Sequence, residues 1–358
     1  MSPHAYRIAT AVVSGLLTTG CSEVTFPAIQ YETQRARIGT TFDFELCAGD
    51  LELVDRQVGA IEERLGVERA SRISLYLYEL GQLPCENSPF GCYFREQDAV
   101  ATLPFAIDHE LVHAVARGQS FENRFWSEGI AEAVKGEGTF NPYTPALATY
   151  AQSDSARLDY ATAGHFVRWL VETRGLASLQ RIVAGEPQAE VLGASIEQLA
   201  AEYDAAAPFA FPDWSPCAHP PLPATGDGVW EERLEFDCQS TDAHRLRGGP
   251  GPTVSRSIEV PAGTYRLSME DGDAVYLLGC QTETLPEYRP SFNDDETVQR
   301  WNGSVFNEVQ LSRTAPAMRF ESEVDHQVEL TQGTYELMVS ALDDDGSYAG
   351  TVRLQRVP

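Results

Sequence analysis

The residues best suited to chemistry lie between residues 109 and 134, in the segment HELVHAVARGQSFENRFWSEGIAEAV. His109 and His113 are four residues apart, which places both imidazoles on one face of a helix, one turn apart. Two neutral imidazoles at this spacing can bind one zinc ion. Glu110 lies on the next row of the helix, where its carboxylate can take a proton from an attacking water without binding the metal.

The third ligand of such a site must come from elsewhere, because catalytic zinc usually takes three protein ligands and leaves one position for water. The segment WSEGIAE follows the HExxH pattern, and the two together resemble the gluzincin metallopeptidases. The resemblance implies that His109, His113 and Glu128 bind one Zn²⁺ ion and that Glu110 is the general base. Glu132, one helical turn after Glu128, is the alternative ligand.

A hydrogen-bond donor must stabilise the oxyanion that forms when water attacks a carbonyl. Gluzincins commonly use a Tyr or His from a later helix for this purpose. The segment DYATAGHFVRWL resembles that helix and implies Tyr160 as the donor. His165 and Tyr150 are the alternatives.

The resemblance also bears on the substrate, which we expect to be a peptide or protein. The segment CYFREQDAVATLP, upstream of the HExxH helix, is expected to be one strand at a sheet edge, where a peptide can bind by strand addition. Related aminopeptidases carry a Gly-x-Met-Glu-Asn segment that holds the substrate amine. The sequence contains no such segment, which favours an endopeptidase.

Composition bounds the class of protein and its partners. The 358 residues have a formal charge of −27, and 43% of them are hydrophobic, so the chain can form hydrophobic cores. The excess of acidic residues argues against nucleic acid or anionic lipid as a partner. We expect a monomer.

The N-terminal segment is expected to be an export signal. Residues 1–21 combine Arg7, a short apolar run and the ending LTTGC, which resembles a bacterial lipobox. We therefore expect a cell-envelope lipoprotein, in the outer membrane and anchored through Cys21, with a secreted protein as the alternative. Membrane contact would then occur only through the lipid.

Six cysteines remain when Cys21 is set aside, and an even number in an exported protein indicates disulfides. Cys85 and Cys92 enclose the turn-rich segment ENSPFG, so we pair them first. The other four are Cys47, Cys217, Cys238 and Cys280, and three pairings of them remain open.

Hydrophobic periodicity divides the chain into two domains of an α+β protein. Residues 22–207 contain strands and then helices, as expected of a gluzincin-like metallopeptidase domain with a small sheet. Residues 208–229 are rich in Pro and Gly and are expected to be a linker. Residues 230–358 contain short alternating runs that predict an all-β sandwich.

Two details of the second domain are also predicted. The segments GTYRL and GTYEL are similar and are expected to form equivalent hairpins. The acidic segments at residues 293–296 and 343–346 lack the ligand spacing of a known calcium motif, so a calcium ion is unsupported.

The sequence therefore predicts an exported zinc endopeptidase. The alternative is a non-catalytic surface lipoprotein with a degenerate or structural zinc domain. Glu110 favours the enzyme, because a structural zinc site has no need of a general base.

Overall fold

The computed structural model describes residues 24–86, 88–117, 124–136, 139–140, 147–151, 159–208, 210–211, 214, 219–226, 228–246, 251–269, 274–280, 318–321, 326–341 and 346–357. Two sets of elements are found there, and each surrounds a large buried core of its own. The first set combines strands with helices, whereas the second contains strands. The predicted mixed α+β class is thus confirmed.

The first set precedes residue 212. Its strands are β1 (Ile29–Glu32), β2 (Ala36–Thr40), β3 (Ile73–Leu77), β4 (Gly91–Phe94), β5 (Ala99–Thr102), β6 (Thr139–Phe140) and β7 (Ala210–Phe211). Its helices are α1 (Ala48–Leu65), α2 (Ile107–Val115), α3 (Arg124–Val134), α4 (Leu147–Ala151), α5 (Tyr160–Arg174), α6 (Leu176–Val183), α7 (Gln188–Leu192) and α8 (Ile196–Ala206).

The main sheet has the strand order β1-β2-β3-β5-β4. Strands β2, β3 and β5 are parallel, whereas β1 and β4 run antiparallel at the two edges. Side chains such as Ile38, Leu75 and Val100 belong to the core that the helices cover. Tyr78 and Ala101 belong to a separate cluster with Phe26. Both faces of the central strands are covered, as parallel strands require.

The segment expected as one strand, CYFREQDAVATLP, forms a hairpin instead, so that prediction was wrong. Its strands are β4 and β5, and the turn between them contains Asp98 at a φ of 50°. Asp tolerates this left-handed conformation better than most residues. Arg69 Nη2 at 2.7 Å and the Tyr93 hydroxyl at 2.9 Å donate to the Asp98 carboxylate, which stabilises the turn. As a result, β4 becomes the edge of the sheet.

Helix α1 carries its apolar residues at the spacing that buries one face. Val54, Val58 and Ile61 are at most 2% exposed. The helix ends at Gly66, whose φ of 65° favours glycine because the backbone is left-handed there. The predicted helix thus forms where its periodicity indicates.

Helices α3 and α5 pack closely because glycines lie at their contact. A Cβ on Gly129 would lie 2.9 Å from the Ala163 carbonyl oxygen, and one on Gly164 would lie 2.4 Å from Cβ of Glu132. Neither position could carry a side chain without a shift of the backbone. The two glycines therefore fix how α3 faces the rest of the first set.

The second set contains two antiparallel sheets whose buried residues form one core. The sheets have the orders β13-β10-β15-β8 and β12-β11-β14-β9. The strands are β8 (Val229–Phe236), β9 (Thr253–Val260), β10 (Gly263–Met269), β11 (Ala274–Gly279), β12 (Met318–Glu321), β13 (His326–Leu330), β14 (Gly333–Ser340) and β15 (Tyr348–Arg356).

The segments GTYRL and GTYEL do not form the hairpins expected from sequence. Strand β9 pairs with β14 and β10 pairs with β13, so both segments follow turns that lead from one sheet to the other. The hydroxyl of Tyr265 donates to the Pro261 carbonyl oxygen at 2.6 Å, and that of Tyr335 donates to the Thr331 carbonyl oxygen at 3.1 Å. The two segments are similar because they make equivalent corners.

Disulfides occur in both sets. The predicted Cys85–Cys92 bond is confirmed, and Cys47–Cys238 joins the first set to the second. Cys280 is also disulfide-bonded, while Cys217 lies outside the described residues. These bonds are consistent with an exported protein. Within the described ranges, no helix is long and apolar enough to cross a membrane.

Several predictions fall outside the described residues. They concern the export signal at residues 1–21 with Cys21, and the acidic segments at residues 293–296 and 343–345. The linker at residues 208–229 is described only in part.

The junction between the two sets lies at the N-terminus of α1. The Asp50 carboxylate is fully buried and accepts backbone N–H bonds from Cys47, Arg245 and Leu246, each at 2.9 Å. Burial raises the pKa of this carboxyl, although the three donors favour its ionised form. The N–H group of Gly49 also donates to the Ala243 carbonyl oxygen at 2.9 Å.

Replacing Asp50 should therefore loosen the junction. In Asp50→Asn the amide offers one acceptor oxygen and turns an NH₂ group toward N–H donors. We expect a loss of about 1–3 kcal/mol in the free energy of unfolding, measured by urea denaturation with the disulfides intact. Glu52→Gln, which removes a charge from an exposed position on the same helix, is the control. Equal stability of the two variants would contradict the assignment.

Candidate metal centre

Helix α2 carries the two histidines of the candidate centre. It follows a 3₁₀ turn at Pro104–Ala106 and buries Leu111, Val112 and Val115 in the core. The opposite face presents His109 and His113, whose Nε2 atoms lie 3.2 Å apart. The spacing in sequence thus brings the imidazoles together, as predicted.

Helix α3 brings Glu128 to the same point. Its Oε2 atom lies 3.1 Å from Nε2 of His109 and 3.1 Å from Nε2 of His113. Among the described residues, these three side chains form the one group of histidines, cysteines and acids that could hold a metal ion.

The triangle of ligand atoms has the size that a tetrahedral ion requires. Bonds of about 2.0–2.1 Å to nitrogen and oxygen place two ligand atoms of a tetrahedral zinc ion about 3.3 Å apart. The three measured separations are 3.1, 3.1 and 3.2 Å. These residues therefore fit one ion, and the described part of the chain supplies no protein ligand for its fourth position.

Glu132, the alternative ligand, contacts the other nitrogen of His109. Its Oε1 lies 2.7 Å from Nδ1 of His109, and its Oε2 lies 3.1 Å from Nζ of Lys135. A carboxylate in this position accepts a hydrogen bond from Nδ1–H, so that Nε2 carries the lone pair that binds a metal. Glu128 therefore faces Nε2 of His109, whereas Glu132 faces Nδ1 of the same ring.

Glu110 is buried beside the ligands and against the edge strand. It is 6% exposed, and a Cβ on Gly91 of β4 would lie 2.6 Å from its Cγ atom. Burial raises the pKa of Glu110; the nearby His113 and His109 oppose this effect. A carboxylate with a raised pKa is well suited to accept and return a proton. Gly91 provides the space that this side chain occupies.

Tyr160 and Arg124 lie on the other side of His109. The Tyr160 ring is centred 5.8 Å from the His109 ring, and its hydroxyl accepts a hydrogen bond from Arg124 Nη2 at 2.7 Å. Nε of Arg124 lies 3.6 Å from Glu128 Oε1, the oxygen that does not face the histidines. Burial, together with the Glu128 charge, raises the pKa of Tyr160.

Of the two alternatives to Tyr160, His165 contacts a different residue, and the side chain of Tyr150 is not described. His165 is fully buried and its Nδ1 lies 2.7 Å from the Tyr203 hydroxyl of α8. Tyr150 belongs to α4, but its side chain is not among those described.

Charge within the metal-free centre is strongly coupled. Burial alone would lower the pKa of His109, but contacts with Glu128 and Glu132 outweigh it and raise the pKa to about 10. Burial likewise acts against ionisation of Glu128, yet the two imidazoles hold its pKa well below the usual range. The contacts between the three side chains therefore favour a protonated His109 beside an ionised Glu128.

The HExxH motif does not predict three residues of the centre, which are Gly91, Arg124 and Lys135. Arg124 and Lys135 could have been considered from their spacing, because Arg124 lies four residues before Glu128 and Lys135 lies three residues after Glu132. Gly91 could not, because its contact with Glu110 depends on the hairpin.

Comparisons with known proteins add no assignment. No protein-family model matches the chain, and no curated protein matches it. The periplasmic g-type lysozyme inhibitor PliG of Aeromonas hydrophila is similar over 38% of this chain and 93% of its own, at 12% identity and a TM-score of 0.22. PliG of Salmonella Typhimurium is similar over 37% of this chain and 89% of its own, at 14% identity and a TM-score of 0.19. Hydroxypropylphosphonic acid epoxidase from S. wedmorenis is similar over 53% of this chain and 88% of its own, at 13% identity and a TM-score of 0.15. Likenesses of this size carry no argument.

Substitution of the two glutamates should separate their roles. Glu128→Gln removes a ligand and should abolish tight binding of one divalent ion. Glu132→Gln keeps all three ligands but weakens the support of His109, so the affinity should fall about 10–100-fold. Competition with a chromophoric chelator measures both. The reverse order of effects would make Glu132 the ligand.

Metal binding should release protons and strengthen as pH rises. Because the pKa of His109 is about 10 in the metal-free protein, the imidazole is protonated at neutral pH and the metal must displace that proton. Calorimetry at pH 7 in buffers of different ionisation enthalpy should show about one proton released per ion. A binding enthalpy that is independent of the buffer would contradict this prediction.

Proposed function

We propose that the protein is an exported zinc-dependent endopeptidase of the gluzincin type. The observation that carries the proposal is the arrangement of four residues. His109, His113 and Glu128 present three converging ligand atoms, and Glu110 lies beside them without being part of the group. A structural site would be closed by a fourth ligand and would not require this carboxylate.

Each residue has a role in peptide hydrolysis. The chemistry that zinc supplies when bound is activation of water and polarisation of a carbonyl. Glu110 takes the proton of the attacking water and returns it to the leaving amine. The Tyr160 hydroxyl donates a hydrogen bond to the developing oxyanion, and Arg124 holds that hydroxyl in place at 2.7 Å.

The edge strand supports a peptide substrate. Leu103 N–H donates to the Phe90 carbonyl oxygen at 2.8 Å. The backbone groups of successive strand residues point alternately to the two sides of the strand, so the observed register turns the carbonyl groups of Gly91 and Tyr93 away from β5. In the described part of the chain, no strand pairs with this side of β4. An extended peptide could bind there by strand addition, next to Glu110.

The proposal extends to the architecture and the location. Residues up to 207 would form a gluzincin-like domain, and the two sheets of the second set would form an accessory β-sandwich around their common core. The disulfides support export, and the sequence ending at Cys21 supports a lipid anchor. Zinc is proposed from the ligand types and their spacing.

Glu110→Gln tests the function. The variant should bind zinc with the stoichiometry of the unaltered protein, because Glu110 is not a ligand. Its rate of cleavage of a labelled, unfolded protein should fall about 10²–10⁴-fold, since general base catalysis is lost. Mass spectrometry of a peptide library identifies the bonds cleaved.

Glu52→Gln, at an exposed position, is the matched control and should retain full activity. Equal activity of Glu110→Gln and the control would contradict the role of Glu110 as general base. If the zinc-loaded protein cleaves neither the unfolded protein nor any peptide of the library, the non-catalytic binding protein becomes the better assignment.

A further inference from the structure

Lys135 is the single lysine in the sequence, in which the other 25 of the 26 basic residues are arginines. It directly follows α3, the helix that carries Glu128. Its side chain is 19% exposed, and its Nζ atom lies 3.1 Å from Oε2 of Glu132. The one ammonium side chain of the protein thus lies beside the candidate metal centre.

A short series of contacts links Lys135 to the ligands. Glu132 divides its oxygens, with Oε2 facing Lys135 and Oε1 lying 2.7 Å from Nδ1 of His109. Nε2 of His109 in turn lies 3.1 Å from Oε2 of Glu128. The ammonium is therefore separated from a metal ligand by one carboxylate.

The backbone on both sides of this contact is anchored. Lys135 N–H donates to the Ala131 carbonyl oxygen at 3.1 Å, and the carbonyl of Lys135 accepts a hydrogen bond from Gln57 of α1. Glu132 packs so closely on α5 that only glycine fits at position 164. The chain is thus held in place where both side chains begin.

Charge explains what the lysine contributes. Glu110, Glu128 and Glu132 all lie around the histidines, and neighbouring carboxylates repel one another. Arg124 faces Glu128, whereas Lys135 faces Glu132. A compact ammonium can bind one carboxylate oxygen and leave the other for the imidazole.

We propose that Lys135 is a positioning residue of the metal centre. Its contact with Oε2 holds the Glu132 carboxylate in the orientation in which Oε1 accepts a hydrogen bond from Nδ1–H of His109, which directs Nε2 of His109 toward the ion. The inference rests on the metal site of the proposed function, but it does not require that the protein cleave peptides.

The first test compares Lys135→Met with Lys135→Arg in the full chain. Zinc affinity, measured by chelator competition, should fall about 10-fold in Lys135→Met, the lower end of the effect expected for groups behind a ligand. Lys135→Arg restores a positive charge and should recover most of the affinity. The absorption spectrum of the Co²⁺-loaded protein should change in Lys135→Met, because the His109 ring is less well fixed.

A matched control and a double variant assign the cause. Arg181→Met removes a cation from the exposed ion pair with Glu186 and should leave affinity and spectrum unchanged. If Lys135 acts through Glu132, then adding Lys135→Met to Glu132→Gln should produce little further loss, because contacting residues are not additive.

The single lysine also permits a test without substitution. Acetylation of the metal-free folded protein removes the Lys135 charge, whereas reductive methylation keeps it. The Lys135→Arg protein, treated identically, corrects for reaction at the N-terminal amine, and mass spectrometry verifies the modification. Acetylation should weaken zinc binding, and methylation should not. This test decides the matter if Lys135→Met fails to fold.

The outcomes separate the two proposals. If the unaltered protein binds no divalent ion, the proposed function fails and the role of Lys135 fails with it. If that protein binds zinc and the folded Lys135→Met or acetylated protein binds it equally well with an unchanged Co²⁺ spectrum, only the role of Lys135 is overturned.

Discussion

Helix α3 lies between α2 and α5, and the geometry of the candidate centre depends on how closely it can approach both. Gly129 and Gly164 allow that approach, because any side chain at either position would meet the opposite helix within 3 Å. With α3 seated on α5, Glu128 comes within 3.1 Å of both histidines. A wider separation would remove the third ligand while leaving the HExxH pattern intact. Helix packing thus decides whether the pattern becomes a site.

Electrostatics imposes the second constraint. Three carboxylates are gathered around two imidazoles, and such a group is unfavourable in a partly buried place unless cations balance it. The protein divides this task. Arg124 faces the rear oxygen of Glu128, and Lys135 faces the rear oxygen of Glu132, so the front oxygens remain directed at the imidazoles. The contacts with the two cations therefore help to set the orientation of both carboxylates.

The sequence predicted those features that depend on local spacing and left open those that depend on packing. His109 and His113 could be placed together because helix geometry alone relates residues four apart. The choice between Glu128 and Glu132 could not be made from residues alone, because both lie on one face of α3, one turn apart. The packing of α3 against α2 and α5 decides it, because it places Glu128 at Nε2 and Glu132 at Nδ1 of His109.

The same distinction between local spacing and packing applies to the turns of the fold. The Cys85–Cys92 bond was predicted because its loop is short and turn-rich. The β4–β5 hairpin was missed because its polar turn at Asp98 resembles the exposed positions of an alternating strand. The GTY segments were taken for hairpins, since the sequence does not reveal which strand lies beside which. Only the pairing of β9 with β14 shows that these turns connect two sheets.

Helix α1 connects the two constraints to the rest of the molecule. At its first turn, Asp50 and the Cys47–Cys238 bond hold the loop that precedes β9. Farther along, Gln57 and Arg64 donate to the carbonyl groups of Lys135 and Val134, at the C-terminal end of α3. The last carbonyl groups of a helix need donors from outside it, so these contacts stabilise the end of α3. The same rigid helix thus touches the second set of strands at one end and supports the metal centre at the other. The second set is therefore joined to the candidate centre through α1, although none of its described side chains belongs to the group of candidate ligands.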